Sequence, residues 1–151
     1  MRIAVISAIA LAAALPTLAE NPTRIYVYAQ RDTAARSWLS ISCNSVVVAE
    51  LQRGAFFAIN VEPGPYMLSV EKGVPLSIDA RAGEESFVRL DWSYGIDRPP
   101  IPVLSKIYTA GAQREMKYLS YVPAKRVHSN QVPKTDPSEH LQPQLRTRDE
   151  Q

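Results

Sequence analysis

Residues 54–70 read GAFFAINVEPGPYMLSV, and this stretch decides the fold class. A largely apolar run at residues 55–61 follows Gly54, and Pro63-Gly64 marks a turn before the next run. In that second run Tyr66, Leu68 and Val70 share one face, which is the period-two pattern of a β-strand. The stretch therefore predicts two short β-strands that flank a proline–glycine turn.

The same pattern extends in both directions from this stretch. Apolar or β-branched runs occupy residues 24–30, 38–43, 46–51, 76–80 and 86–92. Turn residues separate most of these runs, about every 8–12 residues, and no long amphipathic helix interrupts them.

Two further elements complete the predicted domain. Residues 103–108 are compatible with an eighth strand. Thr109 can cap a short helix over residues 110–119, where Ala112, Met116 and Leu119 recur at helical spacing. The sequence predicts a mainly β fold: an antiparallel, immunoglobulin-like or transthyretin-like β-sandwich of seven or eight strands with one short C-terminal helix.

The N-terminal segment is typical of a secretory signal peptide. Arg2 precedes an apolar run at residues 3–15, and small residues lead to a cleavage point between Ala19 and Glu20. The run is too short for the roughly 20 apolar residues of a transmembrane helix. Cys43 is the only cysteine and lies well downstream, so no lipid anchor is expected. We expect a signal peptide at residues 1–19, no transmembrane segment, and a periplasmic or secreted mature protein.

The C-terminal segment differs in composition from the rest of the chain. Residues 123–151 contain four prolines and many polar residues, with few apolar ones. Such a segment buries too little surface to offset the entropy of ordering it. The sequence therefore predicts a folded domain at residues 20–122 and a disordered tail at residues 123–151.

Several motifs resemble those of one family of bacterial envelope proteins. They are the passage at residues 54–70, the RIYVY strand at residues 24–28, the Ala82-Gly83 turn and the FVRL strand at residues 87–90. The family carries the uncharacterised domain of unknown function numbered 2846. The resemblance implies a β-sandwich in the cell envelope. Many relatives look like lipoproteins, whereas this chain lacks the acceptor cysteine, and no catalytic residue is carried over.

The composition excludes several classes of function. The net charge of +2 is far from the basic excess of nucleic-acid-binding proteins. The only histidines, His128 and His140, lie in the predicted tail, so neither a metal site nor a Ser–His–Asp triad can be assembled. Glu84 and Glu85 follow a turn and are expected to be solvated. We predict no metal, no cofactor and no catalytic residue.

Cys43 shares a strand face with Leu39 and Ile41. Such a cysteine is expected to be a buried, unreactive thiol, because no cationic group or helix N-terminus is evident beside it. An intermolecular disulfide is the alternative, since the expected compartment is oxidising.

Aromatic residues mark the candidate binding surfaces. The loop at residues 91–98 brings Trp92, Tyr94 and Arg98 to a strand end, where sandwiches commonly bind ligands. Alternatively, Trp92 belongs to the core and Tyr94 covers an edge. If Ile25 and Val27 face the core, Tyr26 and Tyr28 face outward with Phe56 and Phe87. That face is either a partner surface or the seat of the C-terminal helix.

The leading functional hypothesis is an exported, non-catalytic β-sandwich that binds another envelope protein or envelope component. One alternative is a hydrolase that uses two facing carboxylates on envelope sugars. Another is a subunit of an envelope complex that docks through its proline-containing tail.

Overall fold

The computed structural model of the protein describes residues 21–128. This range contains nine strands, one α-helix and one turn of 3-10 helix. They are β1 (Arg24–Tyr28), β2 (Leu39–Cys43), β3 (Val46–Leu51), β4 (Ala55–Asn60), β5 (Gly64–Val70), β6 (Leu76–Ala80), β7 (Glu85–Ser93), β8 (Ile101–Ile107), α1 (Thr109–Met116), β9 (Ser120–Tyr121) and the 3-10 turn (Ala124–Arg126).

The strands form two sheets that pack face to face. One sheet has the order β8-β7-β1-β4-β9 and the other the order β3-β2-β5-β6. The mainly β sandwich and the short helix that the sequence predicts are confirmed. Thr109 is not the helix cap: the N-cap is Tyr108, whose extended backbone starts the helix without a side-chain hydrogen bond.

The two sheets differ in strand direction. Every pair in the four-stranded sheet is antiparallel. In the five-stranded sheet, β1 is antiparallel to β4 but parallel to β7, so that Tyr28 lies opposite Arg89. β9 is also parallel to β4. These parallel pairs join segments far apart in the chain, and the hydrophobic pattern did not predict them.

The core lies between the sheets and follows the predicted alternation. Ile25 and Val27 of β1 face inward, as do the residues opposite them in β4, Ile59 and Phe57. The four-stranded sheet contributes Ile41, Cys43, Leu68, Val70 and Ile78, all buried. Burial of whole aliphatic side chains contributes about 1.5–3 kcal/mol each, so this layer is the main source of stability.

The helix α1 covers the outer face of the five-stranded sheet. Tyr28, Phe87 and Ala112 form a second buried cluster, and Met116 and Leu119 pack beside them. The hypothesis that the helix covers the outward aromatic residues is therefore confirmed. The outer face of the five-stranded sheet is therefore buried around Tyr28 and Phe87, whereas Tyr121 at its β9 edge is 50% exposed.

A polar network holds the helix in place. The Tyr28 hydroxyl donates a 2.6 Å hydrogen bond to Glu115 of α1, and Arg89 of β7 donates to the same carboxylate at 2.9 Å. Arg89 also donates from Nε to Asp91 at 2.8 Å. Burial and the bond to Glu115 raise the pKa of Tyr28, so the hydroxyl keeps its proton and remains a donor.

The last residues that the structure describes, 122–128, join the two sheets, and we call them the C-terminal strap. Val122 donates its N–H to Phe56 in the five-stranded sheet and is buried in the core. Val127 forms an antiparallel bridge with Ala49 of β3 in the other sheet, and it packs against the core. Structured residues therefore continue beyond the predicted domain end at residue 122. Residues 129–151, including His140, lie outside the described residues.

Side chains fix the strap to β3. Arg126 Nη1 lies 2.8 Å from Glu50 Oε2, and its guanidinium stacks 4.7 Å above the Trp38 ring. The hydrogen bond from Arg126 is the largest cause that lowers the pKa of Glu50. His128 donates its backbone N–H to Val48, and its ring Nε2 lies 3.7 Å from Glu50. His128 thus belongs to the strap.

Replacing Tyr28 with Phe tests the network under the helix. The substitution keeps the ring but removes one charge-assisted hydrogen bond, so the free energy of unfolding should fall by about 1–3 kcal/mol in urea titrations. Tyr26→Phe is the matched control, because its hydroxyl donates to Glu85 at an exposed position. We expect it to change the free energy by less than about 0.5 kcal/mol. Equal effects of the two substitutions would contradict a stabilising role for the network.

Truncation tests the strap. A chain that ends at residue 128 should keep the thermal midpoint of the full chain. A chain that ends at residue 122 should lose about 1–3 kcal/mol of stability, because it loses the packing of Val127 and the Arg126 contacts with Glu50 and Trp38. Thermal unfolding followed by circular dichroism distinguishes the two. Identical midpoints for both truncated chains would show that the strap does not stabilise the domain.

Candidate functional site

A groove opens where β1 and β7 end. Because these neighbouring strands are parallel, their carboxyl ends meet at one edge of the sheet. The chain after β1 crosses to β2 in the other sheet. The chain after β7 turns back to β8, the edge strand beside β7 in the same sheet. Such divergence creates a crevice outside the strand ends, as it does in parallel α/β sheets.

We call this crevice the β1–β7 groove. Its volume is about 270 Å³. It is lined by Gln30, Asp32, Thr33, Ala34, Asp91, Trp92 and Tyr94. The lining therefore combines two aromatic rings, two carboxylates, one amide and one hydroxyl.

Trp92 and Tyr94 are brought together at this groove. Trp92 packs against the core between the sheets and also lines the groove, so it combines the two roles considered from the sequence. Tyr94 is 71% exposed. Its ring is available to a ligand without any rearrangement of the core.

Arg98 does not line the groove. Its side chain folds back over Gly95, so that a Cβ on Gly95 would lie only 2.4 Å from Arg98 Cγ. Because Gly95 has no side chain, the Arg98 side chain can pack directly against the backbone of residue 95. The structure thus separates Arg98 from Trp92 and Tyr94, although all three lie in one short segment.

Tyr26 and Tyr28 lie on the other face of β1, beneath or beside α1. Tyr28 is fully buried, so it offers no surface to a partner. Tyr26 stacks on Phe87 with ring centroids 5.0 Å apart and is half-buried. Tyr26 and Tyr28 therefore belong to the cluster under the helix and do not line the groove.

Gln30, Asp32 and Thr33 also line the groove, although no motif in the sequence singles them out. They belong to the loop between β1 and β2, and only the parallel β1–β7 pairing places that loop beside Asp91 and Trp92. The available signal was a polar cluster directly after a strand, which is also typical of an ordinary connecting loop.

Two buried polar atoms at the groove lack hydrogen-bond partners. They are Trp92 Nε1 and Thr33 Oγ1. An unpaired buried donor costs about 1–3 kcal/mol. Neither atom has a partner within residues 21–128, and both are closed to solvent, so only a movement of the loops would bring a partner to them.

The carboxylates of the groove are suited to accepting hydrogen bonds. Asp91 accepts a 2.8 Å hydrogen bond from Arg89 Nε. Asp32 is exposed and has no ion pair within residues 21–128. A general acid of a glycosidase needs a carboxyl group kept protonated by an apolar setting. Neither aspartate has such a setting.

A second, wider cavity lies at the opposite end of the sandwich, with a volume of about 580 Å³. Glu84, Glu85 and Arg24 contribute to its charged lining. Glu84 and Glu85 are exposed, as the sequence predicts, and Glu85 accepts from the Tyr26 hydroxyl. Aromatic side chains do not line this cavity, so the β1–β7 groove is the better candidate.

Residues 21–128 contain neither a metal-ligand cluster nor a helix that could span a membrane. There the structure contains no group of three or more potential metal ligands from His, Cys, Asp and Glu. It also contains no helix long and apolar enough to cross a bilayer within this range.

The chain matches no protein-family model, no curated protein and no solved structure with which it was compared. The resemblance to the envelope family therefore stays a prediction from the motifs.

Cys43 is buried in the core, as predicted, and burial raises the pKa of its thiol from the ordinary 9.0 to about 12. We expect iodoacetamide at pH 8 to label Cys43 only after the chain is unfolded in urea. Between pH 9 and 11 the unfolded thiol ionises while the folded thiol stays neutral, so this residue should lower stability as the pH rises. The Cys43→Ala variant lacks that contribution, and its stability relative to the parent should improve over this range. Rapid labelling of the folded protein would contradict the buried assignment.

Proposed function

We propose that this protein is an exported β-sandwich that binds another component of the bacterial cell envelope through the β1–β7 groove, without turnover. The observation that carries the proposal is the exposed Tyr94 ring beside Trp92 and the carboxylate of Asp32, which has no ion pair within residues 21–128. Aromatic side chains dominate the energetics of binding surfaces, because they bury a large area with few rotatable bonds.

Export and location rest on the sequence. The apolar segment at residues 3–15 and the cleavage point before Glu20 support secretion. The motifs shared with the envelope family support a site of action in the periplasm or at the cell surface. Membership of that family is part of the proposal.

Binding is favoured over hydrolysis by the state of the groove carboxylates. Asp91 is paired with a guanidinium and Asp32 is exposed to water, so neither carboxyl group lies in the apolar setting that the acid of a glycosidase needs. The alternative of docking through the tail at residues 123–151 concerns a segment that lies mostly outside the described residues, and we give it second place.

Photo-crosslinking at residue 94 tests the proposal. The full chain, with benzoylphenylalanine in place of Tyr94, is expressed in bacterial cells and irradiated. We expect a crosslinked envelope component, and a mature N-terminus at Glu20 in the adduct. The same probe at Tyr118 is the control, because Tyr118 is similarly exposed but lies outside the groove.

Asp32→Asn should weaken the crosslink at residue 94 while leaving the thermal midpoint within a few degrees. Ile96→Ala is the control variant. Ile96 lies on the same loop as Tyr94, is fully exposed and does not line the groove. Equal crosslinking at residues 94 and 118, or none at either, would refute binding through the groove.

A further inference from the structure

The chemistry of the β1–β7 groove narrows the class of ligand, and this step rests on the proposed function. The aspartate carboxylates accept hydrogen bonds only. The Gln30 amide can both donate and accept. A ligand that satisfies the groove must therefore donate and accept within a small volume.

Charged ligands fit this lining poorly. An anion would meet Asp32 and Asp91, of which only Asp91 is paired with a cation. An ammonium group would suit the carboxylates and the rings, but it has no acceptor for the amide N–H groups of Gln30. Either ligand would leave part of the groove unsatisfied.

An extended peptide also fits poorly, although its backbone both donates and accepts. Peptides that bind to β-sheets usually add a strand to a free edge. Here β1 lies between β7 and β4, and β7 lies between β8 and β1, so both strands already have two neighbours. The groove offers no free strand edge.

We infer that the groove binds a neutral saccharide. Each hydroxyl group can donate to Asp32 or Asp91 and accept from the Gln30 amide, and the C–H face of a sugar ring can pack on Tyr94 and Trp92. The volume of 270 Å³ lies just below the usual range for small-molecule pockets, about 300–1,000 Å³. Such a groove suits one or two sugar rings of a free sugar or of a glycan chain.

Titration followed by NMR tests this inference on the mature chain, residues 20–151. The probes are N-acetylglucosamine, its β-1,4-linked tetramer, maltotetraose and, as a cation, spermidine. The chain has two tryptophans, and the indole N–H of Trp38, which lies beneath Arg126, serves as an internal control. We expect at least one saccharide to shift the Trp92 indole signal while the Trp38 signal stays in place.

The variants and the chain length of the probes sharpen the result. Tyr94→Ala and Asp32→Asn should each weaken saccharide binding by about tenfold, while Ile96→Ala should leave it unchanged. Binding of a tetramer at least tenfold tighter than that of the monosaccharide would indicate a glycan chain, and equal binding a free sugar. Both results support the inference.

Three results would overturn it. They are a Trp92 response to spermidine alone, a response of neither indole to any saccharide, and equal shifts of both indoles. If the saccharides fail while residue 94 crosslinks specifically in cells, the ligand class is wrong and the proposed binding function stands. If both experiments fail, the groove has no binding role.

Discussion

The burial of β1 on both faces is the constraint on which the rest of this structure depends. A strand inside a two-layer sandwich normally exposes one face to water, but here Ile25 and Val27 face the other sheet while Tyr28 faces α1. The outer face must then be closed by a helix, and a buried tyrosine hydroxyl must find an acceptor. Glu115 supplies the acceptor, and Arg89 supplies the charge that makes a half-buried glutamate tolerable.

The same network reaches the groove. Arg89 joins Glu115 of the helix to Asp91, and Asp91 lines the groove. The helix, the central strands and the candidate site are therefore connected by one continuous set of hydrogen bonds. Arg89 fixes the orientation of Asp91, so the groove has one carboxylate held in place and one, Asp32, exposed to solvent.

The sides of the sandwich are closed by short contacts rather than by long strands. On one side Val74 bridges to Val103, which joins the segment before β6 to β8. On the other side the C-terminal strap passes from β4 to β3 and covers part of the β3 edge. Closure of this kind blunts edges that would otherwise pair with other chains. It also explains why a proline-containing, polar segment is structured as far as His128: Val127 and Arg126 find partners in the opposite sheet.

The sequence by itself determined the strands, because a period of two is a local property that burial on one face imposes. It predicted the bounds of β1 to β8 to within a few residues and identified Cys43 as a core residue. It also identified Trp92 and Tyr94 as candidate binding residues. It also left two interpretations of the face that carries Tyr26 and Tyr28, either a partner surface or a face covered by the C-terminal helix. Only the tertiary structure decided between them, since the position of α1 depends on which face of the sheet remains uncovered.

The tertiary structure alone also decided the composition of the groove. Gln30, Asp32 and Thr33 meet Asp91 and Trp92 because β1 and β7 pair in parallel, and parallel pairing joins segments without any local turn signal. Arg98, adjacent in sequence to the groove residues, is turned away because Gly95 leaves space for its side chain. Residues that are close in the sequence thus need not meet in the groove. The pairing of distant strands determines which residues line it.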